Sequence, residues 1–187
     1  MLADPFASNI LDPVVHDRLI ADIDMYAYDA RILPEHICTP LSVACTSAEI
    51  AYVKRYRFHK GDGVAGFAYV GKNSDADVAG RMYAMAGAFV RNFIRARVMV
   101  MSELFDHVDN EGIPDMSVLL LPDFHVPAAS GGSRSSWKVS NILGVLMTRK
   151  SLGLQTIVYT PDLESVGQDY GPGVRFLIMQ HYNRIKI

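Results

Sequence analysis

The sequence predicts an α/β fold, a five-stranded and mostly parallel sheet sandwiched by helices. Three observations predict it. Short apolar runs recur along the chain: VAGFAYV (64–70), VMVM (98–101), SVLLL (117–121), TIVYT (156–160) and a closing RIKI (184–187). Segments of helical period separate them, so neighbouring strands need crossover connections, which parallel pairing requires. Half of the 187 residues are hydrophobic, enough for one core large enough to cover both faces of a sheet.

The elements follow in order. Residues 1–13 carry Pro5 and Pro13 as breakers, and 1–33 reads as an N-terminal extension. Within it one amphipathic helix is expected over 14–30, since Val15, Leu19, Ile23 and Ala27 recur at spacing four. Its apolar line suits either docking to a partner or packing on its own domain. Pro34 and Pro40 mark an extended connector. TSAEIAYVKRY (46–56) predicts a capped helix, with Thr46 or Ser47 as cap and Lys54 and Arg55 near the end. HKGDG (59–63) is a turn. A long helix over 75–95 has the stripe Val78, Met82, Met85, Phe89 and Phe93. A short helix is expected in SELFDHV, another from about Ser136 to Leu152, and a last one over 172–180. The Gly/Ser loop AASGGSRSS precedes the second of these.

Composition narrows the function classes. A formal net charge of −2 gives no global field toward nucleic acid or an anionic membrane. Cys38 and Cys45 have no CxxC or Cys/His metal spacing and read as small buried thiols. The N-terminus lacks the basic-then-apolar pattern of a signal peptide. No apolar run approaches the ~20 residues of a membrane span, so a cytoplasmic protein is expected. The six histidines are scattered, with no Ser/His/Asp spacing, no metal-ligand pattern and no paired acids. No catalytic residue, metal or cofactor is therefore expected. His125 lies beside Asp123 and reads as a surface histidine.

In this architecture the chemistry sits where strand C-termini meet the following helices. The first junction, YVGKNSDADVAGRM, has the position of a phosphate-binding loop, whose working form reads G-x-x-x-x-G-K-[ST]. Gly71 fits the first glycine, but Ala76 takes the second, Asp77 the lysine and Val78 the hydroxyl residue. An acid at the lysine position reverses a contact worth ~4 kcal/mol per unit-charge pair at ~4 Å and an effective dielectric near ~20. Lys72 lies in the same loop at the wrong offset. The second junction, SVLLLPDFHV, offers Pro122, which cannot bind a metal, and one carboxylate, Asp123. The third, TIVYTPD, offers Thr160 as a sensor of an outer phosphate, with Pro161 removing the next amide.

These three junctions, in this order, resemble the AAA+ domain of the DnaC/DnaI helicase-loader family and its transposition relative IstB. The resemblance covers about residues 33–187. It includes the lead-in LPEHICTPLSVACTSAEIAYVKRYRFHKGDGVAGFAYVGK, the ARVMVMSELFDHV strand and helix, ILGVLMTRKSLGLQTIVYTPDLE, and the closing YGPGVRFLIMQHYNRIKI. It implies a P-loop NTPase core, AAA+/RecA-like, over 34–187. The nucleotide motifs are degenerate: Gly71, Lys72, Asp77, Val78, Pro122, Asp123 and Thr160 form a vestigial site. The family's closing helix carries a nucleotide-touching arginine, where this sequence has Leu177, with Arg175 two residues away. A loader's DNA-contacting insertion between the second and third strands is reduced here to DNEGIPDM.

The resemblance implies a non-catalytic pseudo-ATPase that binds a protein partner in DNA replication or transposition, as an adaptor or loader-like factor of a phage or mobile element. The partner would be a replicative helicase, an active AAA+ subunit or the chain itself. A nucleic-acid-binding subunit is the alternative. No acid occurs from 124 to 161 while Arg134, Lys138, Arg149 and Lys150 do, and Arg91 and Arg95 lie with Arg81 and Arg97 in a second acid-free stretch, 78–102. Trp137 could stack on a base, though a buried anchor suits it better. A weak ATPase would need Lys72 and Asp123 to replace the missing groups.

Overall fold

The structure, a computed structural model, describes residues 10–72, 77–125 and 136–187, the last of these without the side chains of 136–140. Five parallel strands form one sheet: β1 (Gly66–Val70), β2 (Ala96–Val98), β3 (Val118–Leu121), β4 (Gln155–Thr160) and β5 (Tyr182–Lys186). Their order is β2-β3-β4-β1-β5. Register is set by pairs such as Leu120 with Ile157 and Phe67 with Ile157.

Side-chain alternation along these strands divides the core in two. Phe67, Tyr69, Val118, Leu120 and Ile157 face one layer. Ala68, Leu119, Leu121 and Val158 face the other. All four residues of β3 are fully buried, which explains its unbroken apolar run: a central strand covered on both faces has no polar side to show.

The first layer contains α1 (Asp17–Ala21), α2 (Ile23–Ala30), α3 (Pro34–Cys38), α4 (Leu41–Ala44), α5 (Ser47–Lys54), α6 (Tyr56–His59) and α7 (Val78–Arg91). The helix that gives it the most buried side chains is α7, led by Met82, Met85 and Phe89. The helix expected over 14–30 is two short helices that part at Asp22. Of its apolar line Leu19 and Ala27 are buried in the shared core and Ile23 packs against it, while Val15 stays exposed. The connector expected after Pro34 is also helical. Proline suits the first turn of a helix, where its missing N–H has no partner to lose, and α3 begins on Pro34. There α3 presses its backbone onto α7: a Cβ at Gly87 would meet the His36 carbonyl. The long helix ends at Arg91, four residues before the expected end. Phe93 lies beyond it at φ 58°, 61 % exposed, and is not part of the stripe.

The second layer contains α8 (Met101–Asn110), α9 (Ser136–Leu152), α10 (Leu163–Tyr170) and α11 (Pro172–His181). Sequence reasoning misses α10, whose signal is a capping residue: Asp162 accepts N–H bonds from Glu164 (3.1 Å) and Ser165 (2.9 Å). Val166 and Tyr170 then recur at spacing four on its buried side. Cys38 and Cys45 are buried thiols, as composition suggests. No helix among the described residues is long and apolar enough to cross a membrane.

Candidate nucleotide-site rim

The three junctions meet at the C-terminal rim of the sheet, because β3, β4 and β1 are neighbours. The Gly71 N–H donates to the Thr160 carbonyl (3.1 Å), and the His125 N–H donates to the Tyr159 carbonyl (3.3 Å). Gly71 has φ 152°, and a Cβ there would run into the carbonyl of Ile187, whose own N–H donates to Val70 (3.1 Å). The first glycine of the loop is therefore covered by backbone from the strand β5 side.

Asp77 is the N-cap of α7. Its carboxylate accepts from the Gly80 N–H at 2.7 Å. A helix N-terminus offers free N–H groups and the positive end of its dipole. A bound phosphate uses both; here a carboxylate of the same chain takes that position. Val78, in the hydroxyl position, is buried in the first core layer. Lys72 is exposed, and its charge helps to hold Asp162 low. The Asp162 carboxyl sits at about 2, chiefly through the Ser165 hydroxyl and then the backbone N–H groups of Ser165 and Glu164. Residues 73–76, including Ala76, lie outside the described residues.

Asp123 also caps a helix. The Met101 N–H, at the start of α8, donates to both carboxylate oxygens (2.9 and 3.2 Å). Burial raises the pKa of this carboxyl and the N–H of Met101 lowers it, with burial the larger cause. Its lone pairs point at a backbone N–H of its own chain. Pro122 is half-buried beside it.

Thr160 is fully buried, and its hydroxyl donates to the Asp162 carbonyl (2.9 Å) while accepting from the Asp162 N–H (3.2 Å). His125 is its second neighbour. The surface position expected for His125 is wrong: the residue is fully buried. Its Nε2 donates to Asp169 Oδ2 (2.8 Å), Nδ1 lies 3.3 Å from Thr160 Oγ1, and the ring meets Tyr170 edge-on at 5.4 Å. The partners Asp169 and Tyr170 come from α10, the helix the sequence did not reveal. The family's arginine position, Leu177, is buried in the second layer, and Arg175 pairs with Glu164.

The expected basic face is corrected at two positions. Arg149 is fully buried. Its guanidinium donates to the carbonyls of Pro114 (2.5 Å), Met116 (3.1 Å) and Gln155 (2.7 Å), and to the Thr156 hydroxyl (3.0 Å). Burial lowers its pKa to about 10. Arg91 is 8 % exposed and donates to the carbonyls of Ile37 and Thr39, both at 3.0 Å. Arg91 ties α7 to the end of α3, Arg149 ties α9 to β4 and to the segment before β3, and both are closed to a phosphate. Helix spacing carried the signal: Arg149 follows Ile142, Val145 and Leu146, and Arg91 follows Ala84 and Ala88, on buried faces. Arg95 is exposed and paired with Asp115 (2.6 Å). Arg134 and the side chains of Trp137 and Lys138 lie outside the described residues, while Lys150 is half-buried.

No family profile and no curated protein matches the sequence. Solved structures do. The chain is similar in fold to DnaI, with a TM-score of 0.56 and 13 % identity over 83 % of this chain and 91 % of that one. It is also similar to a candidate primosome component from Streptococcus pyogenes serotype M3, with a TM-score of 0.53 and 15 % identity over 75 % and 76 % of the two chains. The five-stranded parallel sheet with helices on both faces is thus a fold shared with these neighbours.

Proposed function

We propose that this protein is a non-catalytic relative of the helicase loaders, a pseudo-ATPase that works by binding another protein in DNA replication. The observation that carries the reading is the Asp77 carboxylate on the N-terminus of α7. A triphosphate brought there would meet an anion already seated on the N–H groups it needs, and would have no loop lysine to draw it in. The uses of Asp123 and Thr160 point the same way. Each is engaged by its own chain where a hydrolase would aim it at magnesium, water or phosphate.

The likeness in fold to DnaI and to a primosome component supports a role in replication rather than in an unrelated process. The partner proposed is the replicative helicase of the same organism, bound without a nucleotide cycle; transposition is the neighbouring context. Tagged protein mixed with that helicase should form a complex on size-exclusion chromatography that is unchanged by added ATP and magnesium. A complex that forms or falls apart only with ATP contradicts the pseudo-ATPase part. No complex with the helicase under either condition discards the partner.

A further inference from the structure

Seven described residues have a positive φ. Five are glycines, and the other two are Arg31 and Phe93, both at φ 58°. Each closes a helix in the same way. At the end of α2 the Arg31 N–H donates to the Tyr28 carbonyl and the Ile32 N–H to Ala27; at the end of α7 the Phe93 N–H donates to Val90 and the Ile94 N–H to Phe89. Glycine is the usual residue at such a cap. An arginine and a phenylalanine there hold strain that glycine would avoid, and strain of this kind collects at ligand sites.

Both residues line one cavity of about 650 Å³. It lies at the N-terminal rim of the sheet, opposite the vestigial site, around the start of the edge strand β2, and α8 contributes His107 and Glu111 to its wall. Its size suits a small organic ligand. Phe93 and Tyr28 are exposed, and the Arg31 guanidinium sits 5.8 Å from the centre of the Tyr28 ring.

The charges of this wall are only partly paired. Arg95 holds Asp115 at 2.6 Å, and His107 lies 3.4 Å from Glu111. Among the described residues no acid lies within salt-bridge distance of Arg31 or Arg97. Ala96 and Val98 face the first core layer, so Arg97 between them leaves β2 on the other side. It is half-buried, and its Nε is a buried donor with no hydrogen-bond partner. Such a donor is costly unless something outside the chain accepts its bond. Guarding a short edge strand against pairing needs an inward charge; it needs neither the cavity nor the two strained caps.

We infer that this cavity binds a small carboxylic acid with a flat aromatic body. The carboxylate would accept from the Arg97 guanidinium, whose fork matches its two oxygens, and the ring would lie against Phe93 and Tyr28. A phosphate dianion suits the wall less, because it would bring a second negative charge toward Asp29, Glu111 and Asp115. The site does not rest on the protein partner proposed above.

The test is isothermal titration of the intact protein with naphthoate, naphthyl phosphate and naphthalenemethanol. Naphthoate should saturate with a Kd of about 0.1–1 mM, within what a ligand of its size can reach. The other two should bind at least about tenfold more weakly. Arg97→Met should weaken naphthoate at least about tenfold, and Arg31→Gly about threefold. Neither should lower the melting temperature, since one removes an unpartnered donor and the other a left-handed strain. Arg184→Met, on the edge strand β5 at the other side of the sheet, should leave affinity unchanged. Wild-type affinity in Arg97→Met overturns the assignment, as does the absence of saturable naphthoate binding. Tighter binding of naphthyl phosphate would give the cavity to phosphate esters and overturn it too. A lower melting temperature in Arg97→Met would show that the guanidinium serves the fold, with the same consequence.

Discussion

The two rims of the sheet treat charge in opposite ways. At the C-terminal rim Asp77, Asp123, Thr160 and His125 each find a hydrogen-bond partner within the chain. At the N-terminal rim Lys54, Arg57 and Lys60 stand exposed, Lys60 at the wall of a cavity. Polar groups of the first kind stabilise the fold, because an orphaned N–H or carboxylate would be costly at a half-buried helix end. Groups of the second kind contribute little to the fold and are available to a ligand. The rim where the fold's neighbours would be searched for a site is thus the closed one, and the opposite rim is open.

Alkaline titration should produce the largest effect, because it strikes the interior that separates the rims. Burial raises the phenols of Tyr52, Tyr69 and Tyr182 above their ordinary value of 10.0 and the thiol of Cys45 from 9.0 to about 12. The folded chain keeps protons that the unfolded chain releases. This stability is complete below about pH 9 and is lost as the pH rises above it, by about 1.4 kcal/mol per group per pH unit. Arg149 runs the other way between about 10 and 12.5, and Arg91 also runs that way, two groups against five once the raised thiol of Cys38 is counted. Thermal melts at pH 8 and pH 11 should differ by more than ten degrees. Equal melting temperatures would mean that water reaches these groups.

Arg149→Met tests a fully buried cation that lies between the rims. It removes the Arg149 donor from the carbonyls of Pro114, Met116 and Gln155, at ~1–3 kcal/mol for each one left without another. Urea unfolding should show a loss of at least about 3 kcal/mol. A loss below about 1 kcal/mol would return Arg149 to the open, surface class. Removing a cap from the closed rim, by Asp77→Ala or Asp123→Ala, should cost about 1 kcal/mol each. Lys60→Ala and Lys54→Ala at the open rim should stay within about 0.5 kcal/mol of the wild type. If the two pairs of variants cost the same, the contrast between the rims fails. The smallest effect is a gain: Phe93→Gly relieves a left-handed backbone at φ 58° and should stabilise by about 0.5 kcal/mol. A loss instead would mean that the Phe93 ring stacked on His16 at 5.4 Å outweighs the backbone term.

Strands were the most legible part of the sequence. Central parallel strands must be apolar on both faces, and VLLL or TIVYT has little else to become. The place where the three junctions meet was legible too, since β1, β4 and β3 end side by side on one rim. What escaped were partners distant in sequence. His125 looked like a surface residue because Asp169, which holds it, is 44 residues away on a helix with Gly167 inside it. Arg149 and Arg91 looked like surface charge because counting cations ignores which face of the helix carries them. Short helices at Pro34 and Leu41 were hidden by prolines that open them instead of breaking them.

The most direct measurement is a calorimetric titration of the intact protein with magnesium–ATP. With the Asp77 carboxylate seated on the α7 N-terminus, no saturable heat should develop up to millimolar nucleotide. A saturable isotherm with a micromolar Kd would contradict the account, because it would require that carboxylate to leave its cap and a triphosphate to take its place.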